Sequence, residues 1–327
     1  MPANLTPDYL RAEEEYKKAS TPQERLEALK KMYAAMPKHK GTDKLQADIK
    51  RRIAAVRDEI QKGDKKKGFG IKVDVEGAGQ VTLAGPPNSG KSQLVAALTG
   101  THLEVAPYPF TTRLPQPAMM LYEDIQIQLV DLPPISRQHM DFWVPNVIRT
   151  SNMLLLVFDL SDQAALEQID ETRAILEEAK LKLVPYKPTD EHWASVIEKR
   201  TLFVGTKLDM PGAEETWSVI QELYRGSYNM IAVSAVAGHA LTDLKQLIFL
   251  SLNIVRIYSK PPGKETDLTR PFTLPKGSTL LQFATAVHRD FAEHLKFARL
   301  WGHGKFEGQR INRDYILQDR DIIELHA

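Results

Sequence analysis

From position 80 onward, short apolar runs alternate with longer stretches in which apolar positions recur at helical spacing. Val81–Ala84, Ile125–Asp131, Leu154–Asp159, Leu202–Gly205 and Met230–Val233 read as strands. Between several of them, Ser92–Thr99, Asp162–Leu181, Glu214–Tyr224 and Leu241–Val255 read as helices. Such alternation predicts an α/β domain with a mostly parallel, doubly wound sheet covered by helices on both faces. Met119–Tyr122 and Ile125–Asp131, joined at Glu123-Asp124, are close enough to form a hairpin and supply an antiparallel edge.

The pattern differs at both ends. From Thr6 to about Gln61 it predicts a helical hairpin: Leu26, Leu29, Met32 and Tyr33 recur on one face, as do Leu45, Ile49, Ile53, Val56 and Ile60. Thr21-Pro22 reads as an N-cap with proline at the first helical position, and Pro37–Thr42 breaks the two main helices. Such helices gain most of their stability by docking an apolar face. After a Pro-rich linker at 259–271, residues 272–327 read as strand, helix (Thr279–Leu295), strand (Phe297–Trp301), a turn-rich stretch and a last strand at Ile322–Leu325. One helix over a small mixed sheet is a β-grasp pattern, with Phe272, Phe283, Phe291, Phe297 and Trp301 assigned to its core. The predicted organisation is therefore a helical region at 1–72, a nucleotide domain at 73–258, the linker, and the β-grasp domain at 272–327.

Composition narrows the function classes. The 327 residues include no cysteine, which excludes disulfides, thiolate metal sites and thiol catalysis. The start is charged within a dozen residues and the longest apolar runs are strand-sized, so a cytoplasmic protein without a membrane span is expected. Net charge is only +1, but residues 1–72 hold 18 Lys and Arg against 11 Asp and Glu. That basic segment fits either a solvated hairpin or a nucleic-acid contact, since lysine runs such as Lys65–Lys67 are common in linkers. His288, His294 and His303 lack metal-ligand spacing and read as surface residues.

The chemistry is concentrated in four motifs. Gly85-Pro86-Pro87-Asn88-Ser89-Gly90-Lys91-Ser92 matches G-x-x-x-x-G-K-[ST] between a predicted strand and helix. Backbone N–H groups at such a helix start solvate phosphates, Lys91 neutralises their oxygens and Ser92 presents a hydroxyl to Mg²⁺, with Gln93 following in the same helix. Asp131, closing a strand in Val130-Asp131-Leu132-Pro133, stands where a second Mg²⁺ carboxylate belongs. Thr206-Lys207-Leu208-Asp209 follows another buried strand. There the Asp209 carboxylate can accept from both guanine N1–H and its exocyclic amine, and the Lys207 stem can cover the ring. Ser234-Ala235 offers a backbone N–H to guanine O6. The expected ligands are a guanine nucleotide and Mg²⁺.

These motifs, with Tyr108-Pro109-Phe110-Thr111-Thr112, resemble the Obg-related GTPases. The stretch Asn253–Gly263 running into Phe272–Thr279, and Phe297–Gly302, is similar to the junction and TGS domain of the developmentally regulated GTP-binding branch. The resemblance implies that Thr112 is the switch threonine reaching Mg²⁺ and the γ-phosphate. It also implies that Asn88 helps hold a K⁺ that can stabilise charge on the transferring phosphoryl group. Lys91, Thr112 and Asn88 are then the catalytic set, and the ribosome or another RNA is the expected partner, reached through the basic hairpin and the TGS-like domain.

The sequence departs from that family at four places. Residue 134 is proline where the family has a glycine whose N–H meets the γ-phosphate. Ile135 stands where Ras-type enzymes place a water-orienting glutamine. Leu181–Arg200 is too short for the branch's extra insertion, and Thr206 replaces an asparagine. The expectation is a slow GTPase switch; the alternative, motivated by Pro134, is a GTP-binding scaffold that does not hydrolyse.

Overall fold

The structure, a computed structural model, describes residues 7–18, 22–36, 46, 48–54, 56, 71–100, 114–138, 140–185, 196–263, 265–303 and 306–326. The chain divides into two units, Met1–Gly70 and Ile71–Ala327. The first contains helices α1 (Pro7–Lys18) and α2 (Pro22–Ala34) and a third helical stretch, α3, at 48–54. Tyr9 and Ala12 of α1, Leu29 and Met32 of α2, and Ile49 of α3 share one small apolar cluster. The predicted two-helix hairpin is thus three helical stretches. The 9, 12, 16 spacing of Tyr9, Ala12 and Tyr16 marks α1 as an amphipathic helix of its own. Thr21 and Lys65–Lys67 lie outside the described residues.

The second unit opens with the α/β elements. They are β1 (Gln80–Ala84), α4 (Lys91–Thr99), β2 (Gln116–Tyr122), β3 (Ile125–Asp131), α5 (Val144–Thr150), β4 (Met153–Asp159), α6 (Ala165–Glu178), β5 (Leu181–Val184), β6 (Ile197–Thr206), α7 (Ala213–Leu223), β7 (Asn229–Ala232) and α8 (Leu241–Leu252). The sheet order is β2-β3-β1-β4-β6-β5, with β7 also on β6. The first half of β6 pairs with β5 and the second half with β7. All neighbours are parallel except β2 and β3, the antiparallel hairpin that the sequence predicts.

Every residue of β1 and β4 is buried, because both faces of these central strands are covered. Leu154, Leu156 and Phe158 face α5, α6 and α7, while Met153, Leu155 and Val157 face α4 and α8. β5 and α5 are additions to the predicted pattern; β5 has four residues and α5 seven, too few to show a clear period.

The second sheet runs β11-β10-β12-β8-β9. Its strands are β8 (Ile254–Ser259), β9 (Phe272–Pro275), β10 (Phe297–Trp301), β11 (Gln309–Ile311) and β12 (Asp321–His326), with β8 and β12 parallel and the other pairs antiparallel. β8 lies in the stretch predicted to close the nucleotide domain, and residues 259–271 form the β8–β9 connection. The sheet therefore begins at Ile254, where Asn253 takes a left-handed conformation (φ 56°) and turns α8 directly into β8. The predicted helix Thr279–Leu295 is two: α9 (Leu280–Val287) and α10 (Arg289–His294), separated where His288 is extended (φ −169°).

Phe272, Phe283 and Phe291 pack in or against the core of this sheet, as predicted. Phe297 and Trp301 do not. Their alternates Ala298 and Leu300 fill the core instead, so these two aromatics lie on the outer face.

The two sheets are clasped through Arg256 of β8. Its guanidinium meets Asp319 (2.6 and 3.1 Å), Asp124 (2.8 Å) and Glu123, and Tyr258 donates to Asp124. Glu123 and Asp124 form the turn of the β2–β3 hairpin, and Arg320 adds a second contact to Glu123 at 2.6 Å.

Candidate functional site

The loop between β1 and α4 is shaped by what a side chain would strike. A Cβ on Gly85 would lie 2.0 Å from the Val157 carbonyl oxygen, so only glycine lets the loop cross the end of β4. Gly90 begins α4 in the left-handed region (φ 81°), and no side chain caps the helix there. Uncapped N–H groups at this end form an anion-binding concavity. Lys91 is buried and folds back over the loop, donating to the carbonyls of Gly85 (3.2 Å) and Pro86 (2.8 Å) and to Ser89 Oγ (3.1 Å). Burial lowers its pKa to about 8, with the nearby Asp131 charge pulling the other way. An entering phosphate offers this ammonium the counter-charge that carbonyl dipoles cannot.

Asp131 ends β3 with no exposed surface. Burial pushes its carboxyl above the ordinary range, opposed by the Ser92 hydroxyl that it accepts and by Lys91. Its other oxygen, Oδ1, is buried with no hydrogen-bond partner. A buried carboxylate oxygen left without a donor, beside a serine hydroxyl at the foot of an anion nest, is the arrangement a divalent cation satisfies. The donor set therefore fits Mg²⁺ at Ser92 and Asp131. Among the described residues no group of three or more His, Asp or Glu could hold a metal by itself.

The ends of β6 and β7 complete the same rim. Thr206 donates its hydroxyl to the carbonyls of Ser89 (2.8 Å) and Phe158 (3.1 Å), tying this loop to the phosphate loop. Lys207 turns through a left-handed conformation (φ 58°) and its ammonium pairs with Asp159. Asp209 is exposed at the following turn. Ser234 is buried and accepts from the N–H of Ala237 at 3.0 Å, holding the turn that contains Ala235. Gly85–Ser92, Asp131, Thr206–Asp209 and Ser234–Ala235 thus converge outside the carboxyl ends of β1, β3, β6 and β7, the usual ligand position in open α/β sheets. Asn88 (φ 60°) and Gln93 are exposed beside them. Thr112, with Tyr108–Thr111, lies outside the described residues.

The segment after Asp131 is anchored rather than open. Leu132 donates to the Leu83 carbonyl (3.3 Å) and Ile135 to the Gly85 carbonyl (3.0 Å), while Pro133 and Pro134 are buried. The Ile135 side chain is 1% exposed and packs in the core with Trp143 and Val144. No polar group from position 135 can reach a reacting water.

Residues 80–187 match the family model described as 50S ribosome-binding GTPase, and residues 255–327 match the TGS domain. Developmentally-regulated G-protein 1 of Arabidopsis thaliana is 28% identical over 92% of this chain and 90% of its own length. Ribosome-interacting GTPase 1 of Saccharomyces cerevisiae is 26% identical over 94% and 99%. An uncharacterized GTP-binding protein of Methanocaldococcus jannaschii is 27% identical over 98% and 94%. The chain is a homologue of the developmentally regulated GTP-binding proteins. It has a P-loop GTPase domain followed by a TGS domain.

In this homologue the TGS match begins at residue 255, inside β8, in keeping with the strand pairing. The insertion region is short here too: β5 ends at Val184 and β6 starts at Ile197, with 186–195 outside the described residues. Among the described helices none is long and apolar enough to cross a membrane.

One site residue was missed from sequence. Asp159 ends β4 directly beside Thr206 and holds both Lys207 and the Ser161 loop. Its signal was an acidic residue closing a fully apolar strand. Without the sheet order, nothing connected it to Lys207.

Proposed function

We propose that this protein binds GTP and GDP with Mg²⁺ and acts as a slow GTPase switch directed to the ribosome or another RNA. The observation that carries the reading is the buried Asp131 beside Ser92, with one carboxylate oxygen unpartnered, at the start of the helix that Lys91 opens. In the proposed complex the α4 amides and Lys91 hold the phosphates, and Ser92, Asp131 and Thr112 hold the metal. When bound, Mg²⁺ offsets charge on the β- and γ-phosphate oxygens. Asp209 selects guanine, Lys207 covers its ring, Thr206 positions the loop, and Ala235 meets O6. Asn88 helps hold a K⁺ that stands in for an arginine finger.

Slow turnover follows from the second switch, where Pro134 has no N–H and Ile135 is occupied in the core. The RNA direction draws on the 50S ribosome-binding family match, on the name of the yeast relative, and on the basic segment 1–72. A cytoplasmic location fits these partners.

Competition of GTP, GDP and ATP against a fluorescent guanine nucleotide tests the binding half; displacement by ATP as readily as by GTP would remove the reading. Phosphate release with and without K⁺ and ribosomes tests the other half. The same anchored second switch favours a second reading, a GTP-binding scaffold without hydrolysis. Negligible release by both the wild type and Pro134→Gly, with K⁺ and ribosomes present, decides for the scaffold.

A further inference from the structure

The outer face of the TGS sheet falls into two halves. On β8, Arg256 is saturated by Asp319, Asp124 and Glu123 under the β2–β3 turn. On β10, β11 and β12 the face is open and carries Phe297, Arg299, Trp301, Arg310, Glu324 and His326, the alternates of the core residues.

Glu324, the acid of this set, is buried and already takes Lys260 (3.0 Å) and His326 (2.6 Å). Arg299 and Arg310 are exposed and stand directly opposite each other in the β10–β11 register, with no carboxylate partner among the described residues. Like charges so placed oppose strand pairing. Each flank is an ordered ring stack: Arg310 lies 4.2 Å from the Phe297 ring centroid, with His326 stacked on the same ring, and Lys260 lies 4.2 Å from that of Trp301. From β11 to β8 the basic row crosses three strand spacings, roughly 14 Å, too long for one phosphate group. Aromatic and guanidinium planes beside a basic row are the chemistry that takes unpaired bases together with their backbone.

We propose that this open half of the TGS sheet binds a single-stranded RNA segment. Arg299 and Arg310 hold its phosphates, and the Phe297 and Trp301 stacks lie beside its bases. The assignment rests on the RNA-directed reading above and names the surface that serves it.

The test uses the full chain and a labelled 12-nucleotide oligouridylate at low salt, followed by fluorescence anisotropy. The comparison is between wild type and a variant carrying Arg299→Glu and Arg310→Glu, whose unchanged GDP binding reports an intact fold. At least tenfold weaker RNA binding is expected, with a salt dependence shallower by roughly 0.7 per lost contact. If the wild type binds and the variant binds equally, the face is not the site and the RNA reading stands. If the wild type ignores the oligonucleotide yet co-sediments with ribosomes, the face assignment alone falls. If it does neither in any nucleotide state, both fall. Polyglutamate binding as tightly as oligouridylate, and lost equally in the variant, would make the occupant an acidic protein segment and overturn the proposal.

Discussion

The β2–β3 hairpin carries carboxylates at both ends, and the protein treats them in opposite ways. At the turn, Glu123 and Asp124 are met by Arg256, Arg320 and the Tyr258 hydroxyl, all from the TGS domain. At the other end of β3, Asp131 is more deeply buried, accepts one hydroxyl and keeps an oxygen with no partner. Burying a charge without compensation works against folding. The first pair is satisfied from within the chain and is structural. The second is incomplete until something outside the chain arrives, which is the mark of a binding group.

Breaking each end separately sharpens that contrast. Arg256→Met leaves three carboxylates facing one another beneath the TGS sheet. It should lower unfolding stability by about 3 kcal/mol, the low end for breaking a buried ion pair because its partners are partly exposed. Chemical denaturation with and without GDP checks it, and guanine-nucleotide affinity should survive. Asp131→Asn should do the reverse. It removes a buried charge and keeps an acceptor for Ser92, so the fold should be no less stable. Mg²⁺-dependent GTP affinity should fall about a hundredfold, or ~2.7 kcal/mol, read by titration with and without the metal. A destabilised Asp131→Asn with normal affinity would reverse the two assignments.

Much of this was legible in the chain, and what was not has physical causes. The phosphate loop, Asp131 and Thr206–Asp209 were readable because each sits at the end of a strongly apolar strand, where local sequence fixes both element and end. The TGS boundary was not. Val255 and Ile257 continue the apolar pattern of α8, and only the left-handed Asn253 marks the change to strand. Phe297 and Trp301 were assigned inward on hydrophobicity alone. The strand's period of two instead gives the core to the smaller Ala298 and to Leu300. Sheet order, which sets Asp159 beside Thr206, is a tertiary fact that no local pattern carries.

Lys199 tests whether a shifted pKa alone marks a binding group. Burial lowers it to about 8, the same value as Lys91. Yet its ammonium donates to the Arg149 (3.1 Å) and Ser151 (2.5 Å) carbonyls at the C-terminal end of α5, a position that favours a cation. By the hydrogen-bond criterion it is structural. Because its folded pKa lies below the unfolded value of 10.5, the unfolded chain binds more protons between those limits. The charge therefore costs stability below about pH 8, and the cost fades as pH rises toward 10.5. Wild type measured against Lys199→Met should gain on the order of 2 kcal/mol between pH 7.5 and 10 in denaturant titrations. Nucleotide affinity should be untouched in the variant.

Thr206 gives the smallest expected effect and the finest test, since its hydroxyl joins the two ends of the nucleotide site without being placed on the ligand. Thr206→Val keeps the shape and removes the donor to the Ser89 and Phe158 carbonyls, costing about 1 kcal/mol of stability. If the tether aligns the phosphate loop with the base-reading loop, GDP should lose severalfold in affinity while free pyrophosphate, which needs only the loop, loses nothing. Equal losses for both would mean that Thr206 supports the phosphate loop alone. In that case selection of guanine by Asp209 needs no help from the P-loop.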